Sequence, residues 1–596
     1  MAAVTSDIED LCSTEKERIA IIDPNRCRPS KCGKECVKIC PVNRQGKKCV
    51  EILASDDDHT RKEKIARIAE TLCNGCGMCV KVCPFDAIKI VNVPKGLVRD
   101  IVHRYGENSF RLHKLPVIKK GVVTGILGQN GLGKSTIMSI FARELKMNLG
   151  RYGTPADQID ADVSTRFRGT DIQRIISGET SSVLKPQNLS KYRTDQTVGE
   201  FLADTDMDSG LGVGIKKLID RQMKDISGGE LQRVIIHHIC SQDATMYMFD
   251  EPTSFLDLKQ RLDAANSIRK LMNSDTYTVV IDHDVNILDY VSDMIAILYG
   301  ERSIYGICAT PLPSGRGINS YFDGYLPADN VRFRKTSFKF ESLTEEEMPY
   351  DMSAGPSMEY DTVEVTKGSF KLNIEGAKFH NHGITILLGE NGAGKTTFVE
   401  TIAEIIDPNI RISSKTQNPN EELRRCRSQP VKEYLGERIY VDPFRDIVRK
   451  LGVDQIEDNL IKTLSGGELQ KVMILKCIIT DADVYLLDEP SAFLDTETRI
   501  IVSKVIKDYF FEKPVNVFIV EHDMLMATYL GEHAILFTGE VGQNMIAHPP
   551  TSMREGMNNY LMNLGITMRI DHTRRRRLNK LNSAKDREQK IAGEYY

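Results

Sequence analysis

The chain has 596 residues, 41% of them apolar and 27% charged, with 79 basic against 83 acidic side chains and a formal charge of −4. This is the composition of an ordinary soluble globular protein of about four domains at roughly 150 residues each. The near balance of charge does not mark a dedicated nucleic-acid binder, although a local basic surface can sit within it. No run of 18 apolar residues encodes a membrane span, and the opening MAAVTSDIED lacks the basic and apolar regions of a secretory signal. A disulfide framework is therefore not expected, and the 14 cysteines of this tryptophan-free chain have to be explained by position.

Ten of the 14 cysteines lie in the first 83 residues. Cys73-x-x-Cys76-x-x-Cys79-x-x-x-Cys83-Pro84 is the bacterial ferredoxin run, in which three thiolates hold one cubane and the Cys before Pro ligates its neighbour. Gly75 and Gly77 let that loop curl. A looser run, Cys27, Cys32, Cys36 and Cys40-Pro41, supplies the partner. Ferredoxin cross-ligation assigns Cys40, Cys73, Cys76 and Cys79 to one [4Fe–4S] cluster and Cys27, Cys32, Cys36 and Cys83 to the other. Four thiolates also suit tetrahedral zinc, which is the competing reading for the second run. Cys12 and Cys49 are then spare. The scattered Cys240, Cys308, Cys426 and Cys477 read as small buried hydrophobes. A cluster domain spanning 1–95 follows, with little apolar periodicity and a need for such staples.

Next comes an internal repeat. Gly128-Gln-Asn130-Gly131-Leu-Gly133-Lys134-Ser135-Thr136 and Gly389-Glu-Asn391-Gly392-Ala-Gly394-Lys395-Thr396-Thr397 both fit the phosphate-loop pattern. Each follows a short apolar strand, 122–127 or 383–388, and opens a helix. Backbone N–H groups there cradle phosphates, Lys134 or Lys395 reaches the terminal phosphate oxygens, and Ser135 or Thr396 ligates magnesium. Ser227-Gly228-Gly229-Glu230-Leu-Gln232 recurs as Ser465-Gly466-Gly467-Glu468-Leu-Gln470. Further on, two apolar strands end in acid pairs, Asp250–Glu251 and Asp488–Glu489. The first acid of each pair suits magnesium, and the second suits polarising an attacking water. His283 and His522 follow at the ends of later β-rich runs.

These motifs, present twice, resemble the ATP-binding-cassette family. The resemblance implies two cassettes paired head to tail within one monomer. Each ATP would lie between one phosphate loop and the other cassette's signature, Lys134 with Ser465–Gln470 and Lys395 with Ser227–Gln232. It also implies magnesium at Ser135, Asp250, Thr396 and Asp488, switch histidines at His283 and His522, and Q-loop residues Gln187 (in Lys-Pro-Gln) and Gln417 (in Lys-Thr-Gln). The first cassette carries about 31 extra residues before its Q-loop, read as two short helices around Gly169 near 162–178 with Arg166 and Arg168 exposed.

A cysteine block fused to twin cassettes narrows the resemblance to subfamily E of the ABC proteins, the RNase L inhibitor family, over essentially the whole chain. The supporting motifs are His103-Arg-Tyr105-Gly-x-Asn108-x-Phe110, Phe167-Arg168-Gly169, Phe322-Asp-Gly-Tyr325 with Asn330-x-Arg332-Phe-Arg334, and Asn579-Lys-Leu-Asn582-Ser near the C-terminus. The expected organisation is a first cassette at 96–310, a hinge at 311–345, a second cassette at 346–548 and a basic strap at 549–596. Tyr105 and Phe110 are the expected base-stacking pair, with Tyr360 or Phe370 in the second cassette. Asp282 stands before His283 where the family has Glu, and Thr416 precedes Gln417 where Pro is expected.

The resemblance implies a cytoplasmic ATPase that splits ribosomes into subunits and stays on the small subunit toward initiation. Its implied partners are ribosomal RNA and proteins of that subunit, a class-one release factor or its surveillance paralogue, and initiation factors, with no membrane. Arg569–Lys590 holds nine Lys or Arg against three acids, which suits phosphate contact. The alternative within translation is an ATP-locked assembly factor without splitting activity. A transporter ATPase lacks the ferredoxin module, and a redox enzyme would need an acceptor site that nothing after residue 95 supplies.

Overall fold

The computed structural model describes residues 16–596 apart from 23–25, 55–63, 95–99, 107–108, 152–153, 155, 207–211, 339–356, 381–382, 406–410, 417–425, 512 and 572–574. The chain divides into two compact units. One contains the cysteine-rich segment and the chain up to Val117, with Gly128–Thr180 and Ile297–Thr310. The other contains Ile118–Leu127, Ser181–Ala296 and Pro311–Tyr596.

In the first unit the cysteine segment forms two antiparallel pairs, Lys16–Ile22 with Ile88–Pro94 and Val50–Ala54 with Lys64–Ile68. Short helices Glu35–Ile39 and Met78–Val82 carry Cys36 and Cys79, and Cys40 and Cys83 stand at helix ends as the N-cap of Pro41–Arg44 and the C-cap of Met78–Val82. The core is small, and cysteines form part of it: Cys40, Cys49 and Cys79 are buried beside Ala20, Val50, Ile68 and Ile88. The same unit holds antiparallel strands Ile101–Arg104 and Arg111–His113, the second pairing in parallel with Tyr305–Cys308. Glu70 forms ion pairs with both Arg104 and Arg111, tying the cysteine segment to these strands. The insertion forms helices Ala156–Arg166 and Asp171–Ile176 around Gly169, which has φ +75°. Arg166 donates to the Ile101 carbonyl at 2.7 Å, so this arginine binds its own strand, while Arg168 is exposed.

The second unit holds four parallel strands in the order Val123–Leu127, Tyr277–Ile281, Met246–Asp250, Ser182–Lys185. All of Val123–Leu127, Met246–Asp250 and Tyr277–Ile281 is buried, as a sheet covered on both faces requires. The second cassette repeats this plan as Gly383–Leu388, Asn516–Val520, Val484–Asp488, Ile412–Lys415, and extends it on the other side through His533–Glu540, Asn544–Ala547, Phe370–Ile374 and Val363–Lys367. In both cassettes the strand that leads into the phosphate loop and the strand that ends in the acid pair are parallel members of one sheet with a single strand, Tyr277–Ile281 or Asn516–Val520, between them, and open α/β sheets bind ligands at such carboxyl ends.

Between the cassettes, helix Ser314–Asp323 ends at Gly324 in the left-handed region. Arg334 then stacks 3.8 Å over the Phe338 ring, donates to the Phe322 carbonyl and pairs with Glu497. The C-terminal strap does not present all its charge to solvent. Arg577 makes a bidentate pair with Asp289 at 2.6 and 2.7 Å, and buried Arg575 pairs with the same carboxylate while lying over Phe322.

Candidate nucleotide and cluster sites

The thiols fall into two neighbourhoods. Cys40, Cys73, Cys76 and Cys79 line one cavity, enclosed by Ala20, Val50, Ile68 and Ile90. Cys36 is pushed up to about 11, first by burial and then by the nearby Cys27, Cys32 and Cys83. Burial also pushes Cys79 up to about 11, with Cys73 and Cys76 adding to it. Crowded, half-buried thiols whose protonated form is favoured in this way are relieved by a bound cation, because a metal holds the thiolate form outright. Gly75, at φ +64°, is needed here: a Cβ would lie 2.3 Å from Cβ of Arg18. Cys49 is fully buried, lines the same cavity and touches Cys40 and Cys73. Its place in the sequence, outside both runs, carried no such signal.

Each phosphate loop has a glycine that an aromatic ring crowds most closely, with a leucine just beyond it. A Cβ on Gly133 (φ +95°) would meet Phe110 at 2.7 Å, and one on Gly394 (φ +89°) would meet Phe370 at 2.7 Å. Phe370 is therefore the counterpart of Phe110, while Tyr360 is buried in the second cassette's core. Tyr105 is 55% exposed, and its hydroxyl lies 3.1 Å from Oγ1 of Thr136. The loop lysines bridge their own loops: Lys134 Nζ donates to the Gly128 carbonyl (2.6 Å) and Asn130 (3.2 Å), and Lys395 Nζ to the Gly389 and Glu390 carbonyls (2.7 and 3.0 Å). Burial lowers Lys395 to about 8 even though Asp257, Glu489, Asp488 and Glu390 oppose the shift. Thr396 Oγ1 donates to Asp488 at 3.1 Å, which brings together the two groups expected to hold magnesium. Burial raises Asp488 to about 6; a bound divalent cation would favour its carboxylate. Ser135 is exposed at the first turn of its helix.

Glu251 and Glu489 both adopt left-handed backbone, φ 47° and 45°, a costly conformation for glutamate that persists only where the surroundings impose it. Two side-chain donors and one carbonyl acceptor do so in each cassette. Lys185 Nζ donates to the carbonyls of Asp250 (2.7 Å) and Glu251 (2.9 Å), and Gln232 donates to the Glu251 carbonyl (2.7 Å). The Glu251 N–H in turn donates to Ile281. In the second cassette Lys415, Gln470 and the Val520 carbonyl do the same for Asp488 and Glu489. Both lysines are buried, and burial lowers each to about 8. The signal for them stood in the Lys-Pro-Gln and Lys-Thr-Gln triplets, where only the glutamine drew a role. Gln187 donates to the Glu251 carboxylate at 2.7 Å; Gln417 lies outside the described residues. His283 Nε2 is 3.3 Å from Glu251 and His522 Nε2 is 3.8 Å from Glu489. Burial, then Lys395 and Arg261, holds His522 well below its ordinary value, so its ring is neutral at pH 7. Asp282 does with a shorter side chain what Glu521 does in the second cassette: it accepts from Thr253 as Glu521 accepts from Ser491.

Ser227 and Ser465 are N-caps of helices Gly228–Ser241 and Gly466–Ile479. Each forms a capping box, with Glu230 and Glu468 reaching back to the serine N–H. Those glutamates are thus held by their own helix ends. The second signature glycine is fixed by crowding, since a Cβ on Gly229 or Gly467 would lie 2.8 or 3.0 Å from the carbonyl of Phe255 or Phe493. The segment after the first acid pair, the D-loop Ser254-Phe-Leu-Asp257 (Ser491-Ala-Phe-Leu-Asp495 in the second cassette), meets the second phosphate loop: Asp257 accepts from the Asn391 N–H (3.0 Å), Asn391 donates to Phe255 (3.3 Å) and Lys259 pairs with Glu390. One of the two head-to-tail contacts is therefore built from named residues.

Comparison with known proteins places this geometry. Residues 117–254 and 376–492 match the family model described as ABC transporter, 17–48 match a possible Fer4-like domain in RNase L inhibitor, and 66–89 match a 4Fe-4S binding domain. The chain is 41% identical to "ABC transporter E family member 1" of Arabidopsis thaliana, over 97% of this chain and 98% of that one. It is 39% identical to "Translation initiation factor RLI1" of Saccharomyces cerevisiae, over 98% and 99%. The chain belongs to the E family of ABC proteins. A solved structure of a family member, described as "Model of ribosome-bound archaeal Pelota and ABCE1", superposes with a TM-score of 0.84 at 38% identity, covering 98% of this chain and 100% of that one. Another, of an archaeal ribosome recycling factor with the stalk protein aP1, gives 0.76 at 38% identity over 84% and 99%. As an E-family protein the chain is an ATPase with 4Fe–4S-binding modules. Among the described residues no helix is long and apolar enough to cross a membrane.

Proposed function

We propose that this ATPase splits ribosomes into subunits, and that ATP-driven closure of its two cassettes supplies the force. The observation that carries this reading is the join between its parts. Glu70, in the cysteine segment, is ion-paired with Arg104 and Arg111 on the strands that lead to Tyr105 and Phe110 at the first nucleotide end. A cassette movement is thereby handed to the cluster module as a rigid body. Two [4Fe–4S] clusters, on Cys40, Cys73, Cys76 and Cys79 and on Cys27, Cys32, Cys36 and Cys83, would stiffen that module, whose protein core is small.

In the proposed cycle, ATP at each phosphate loop draws the opposing signature helix N-terminus onto the γ-phosphate, with Ser227 or Ser465 and the two following glycines as donors. Glu230 and Glu468 act by capping those helices. Glu251 and Glu489 orient the attacking water, His283 and His522 face the γ-phosphate, His522 as a neutral imidazole, and Thr396 with Asp488 and Ser135 with Asp250 would hold magnesium. Magnesium supplies neutralisation of charge on the β- and γ-oxygens. Closure presses the cluster module against a partner in the intersubunit space, and hydrolysis reopens the clamp. The partners we propose are the small ribosomal subunit and a class-one release factor or its surveillance paralogue. The names of the similar proteins, ribosome-bound with Pelota in one case and a recycling factor in another, support this choice.

Sedimentation of extract with a non-hydrolysable ATP analogue tests the reading. Co-migration with the small subunit, together with loss of 80S or 70S particles on adding the protein and ATP, is the expected result. A free or membrane-bound pool overturns it. Binding to intact ribosomes without splitting would favour the assembly-factor reading.

A further inference from the structure

The strand that leads to Tyr105 is the outermost of its sheet: Ile101–Arg104 pairs with Arg111–His113 and has no strand on its other side. An edge strand leaves a row of backbone donors and acceptors open unless something covers them. Here the chain that follows the phosphate-loop helix Lys134–Phe141 covers them. Asn148 grips Arg104 with both ends of its carboxamide. Its Oδ1 accepts from the Arg104 N–H at 2.9 Å, and its Nδ2 donates to the Arg104 carbonyl at 2.6 Å. Leu149 takes left-handed backbone, φ 48°, and donates its N–H to the Val102 carbonyl at 3.0 Å. Such a conformation persists only where the surroundings impose it, and it gathers at functional places. Further along the edge, Arg166 of the insertion donates to the Ile101 carbonyl at 2.7 Å.

The end of the strand matters most, because Arg104 directly precedes the ring expected to stack on the base. A two-point amide pair fixes the plane and direction of the backbone there, as a neighbouring strand would. Beyond it, the Tyr105 N–H donates to the Phe110 carbonyl at 3.3 Å, and the Tyr105 ring meets His103 edge-on at 4.8 Å between centroids. The Tyr105 hydroxyl lies 3.1 Å from Oγ1 of Thr136, in the first turn of the phosphate-loop helix. The ring is thus tied to the start of that helix through Thr136 and to the chain beyond its end through Asn148.

We propose that Asn148 is a positioning residue for the nucleotide base at the first site: by locking Arg104 it holds the Tyr105 ring in place relative to the phosphate loop, with Arg166 as a second, weaker hold. Asn148 sets affinity for the base of ATP and leaves affinity for the phosphates alone. The inference rests on the reading of Tyr105 as the base-stacking ring.

The test uses the purified full-length chain carrying Lys395→Ala, so that the first site is read alone. Two ligands are compared: radiolabelled magnesium–ATP, and magnesium tripolyphosphate as a displacer with phosphates and no base. Tyr105→Ala should weaken ATP by roughly two- to twelvefold, the range of one aromatic stack, and leave tripolyphosphate within about twofold of native. Asn148→Ala should weaken ATP within the same range and also spare tripolyphosphate. Asn148→Asp, which keeps the acceptor and loses the donor, should fall between Asn148→Ala and the native residue. Added to Tyr105→Ala, Asn148→Ala should cost nothing further, because the ring it positions is gone. Arg166→Gln should show the same selectivity at about twofold, and it decides the matter if Asn148→Ala fails to fold. Equal losses for ATP and tripolyphosphate overturn the proposal, since they place Asn148 in the packing of the phosphate-loop helix. A full additional loss on top of Tyr105→Ala overturns it as well. If Tyr105→Ala leaves ATP binding unchanged, the stacking reading has failed and Asn148 has no ring to position. If Tyr105→Ala weakens ATP while the Asn148 and Arg166 variants do not, the stacking reading stands and this proposal alone falls.

Discussion

Glu251 and Glu489, the glutamates we propose as catalytic, share a backbone clamp and differ in what holds their carboxylates. Lys185 with Gln232, and Lys415 with Gln470, fix the two backbones alike. At the carboxylate the cassettes part: Ser254 donates its hydroxyl to Glu251 at 3.1 Å, whereas the matching position in the second cassette is Ala492. His283 stands 3.3 Å from its glutamate and His522 stands 3.8 Å from its own. The nucleotide ends differ too. Tyr105 precedes the turn to Phe110, and in the second cassette Lys367 precedes the turn to Phe370. The two cassettes thus hold the backbone of the acid pair in the same way and surround it with different side chains. Equal chemistry at the two sites can thus coexist with unequal rates.

The comparison is broken most severely at the acids themselves. Glu251→Gln and Glu489→Gln should each lower single-turnover hydrolysis at its own site by about 10²–10⁴-fold, the usual worth of a positioned general base. A residual rate that falls for only one of them would show that the second site is a binding site alone. The clamp comes next. Lys185→Met and Lys415→Met should each cost roughly ten- to a hundredfold in kcat at its own site, with KM for ATP moving far less, because a displaced glutamate misplaces the water and leaves the phosphate loop intact. Similar losses in both would confirm that the shared feature is the backbone; a loss in KM alone would remove the lysines from the catalytic unit.

Smaller effects sharpen the difference. Ser254→Ala should slow the first site, and Ala492→Ser should speed the second, each by up to about tenfold, the range of a hydrogen bond of roughly 1 kcal/mol. Opposite signs in the two swaps, read in single-site backgrounds, are the expected result. Equal signs would mean that the hydroxyl acts on folding or loop packing and not on the carboxylate.

Much of this was legible before any coordinates, and the reasons are local. The phosphate loops, acid pairs and signature serines are short-range motifs whose strand–loop–helix context can be read directly, and the strands at 123–127 and 383–388 lie where the apolar runs put them. The split of thiols into two neighbourhoods followed from ferredoxin spacing. What escaped was set by partners distant in sequence. Cys49 reaches the cluster cavity by pairing of the strand that follows it, and Lys185 meets Glu251 66 positions away. Nine basic residues in the strap suggested a phosphate-binding surface, yet Arg575 and Arg577 are committed to Asp289, 286 and 288 residues earlier. A basic run says nothing of the carboxylate that folding brings against it, so the phosphate contacts open to the strap rest on fewer side chains than its composition implies.

The gentlest test concerns the aromatic end. Tyr105 is half-exposed beside Phe110, with ring centroids 6.5 Å apart, and its hydroxyl is held by Thr136 on the phosphate-loop helix. A ring tethered in this way offers a stacking face for a purine at a worth of about 0.5–1.5 kcal/mol, equivalent to roughly two- to twelvefold in affinity. Tyr105→Ala should therefore raise KM for ATP at the first site within that range and leave kcat nearly unchanged, since the ring acts equally on bound substrate and transition state. Tyr105→Phe keeps the face and loses only the tether, so it should fall between. Lys367→Tyr should move the second site in the opposite direction, lowering its KM. If it does not, Phe370 alone sets the base contact there, and the aromatic difference between the cassettes is one of packing against Gly133 and Gly394, not of nucleotide binding.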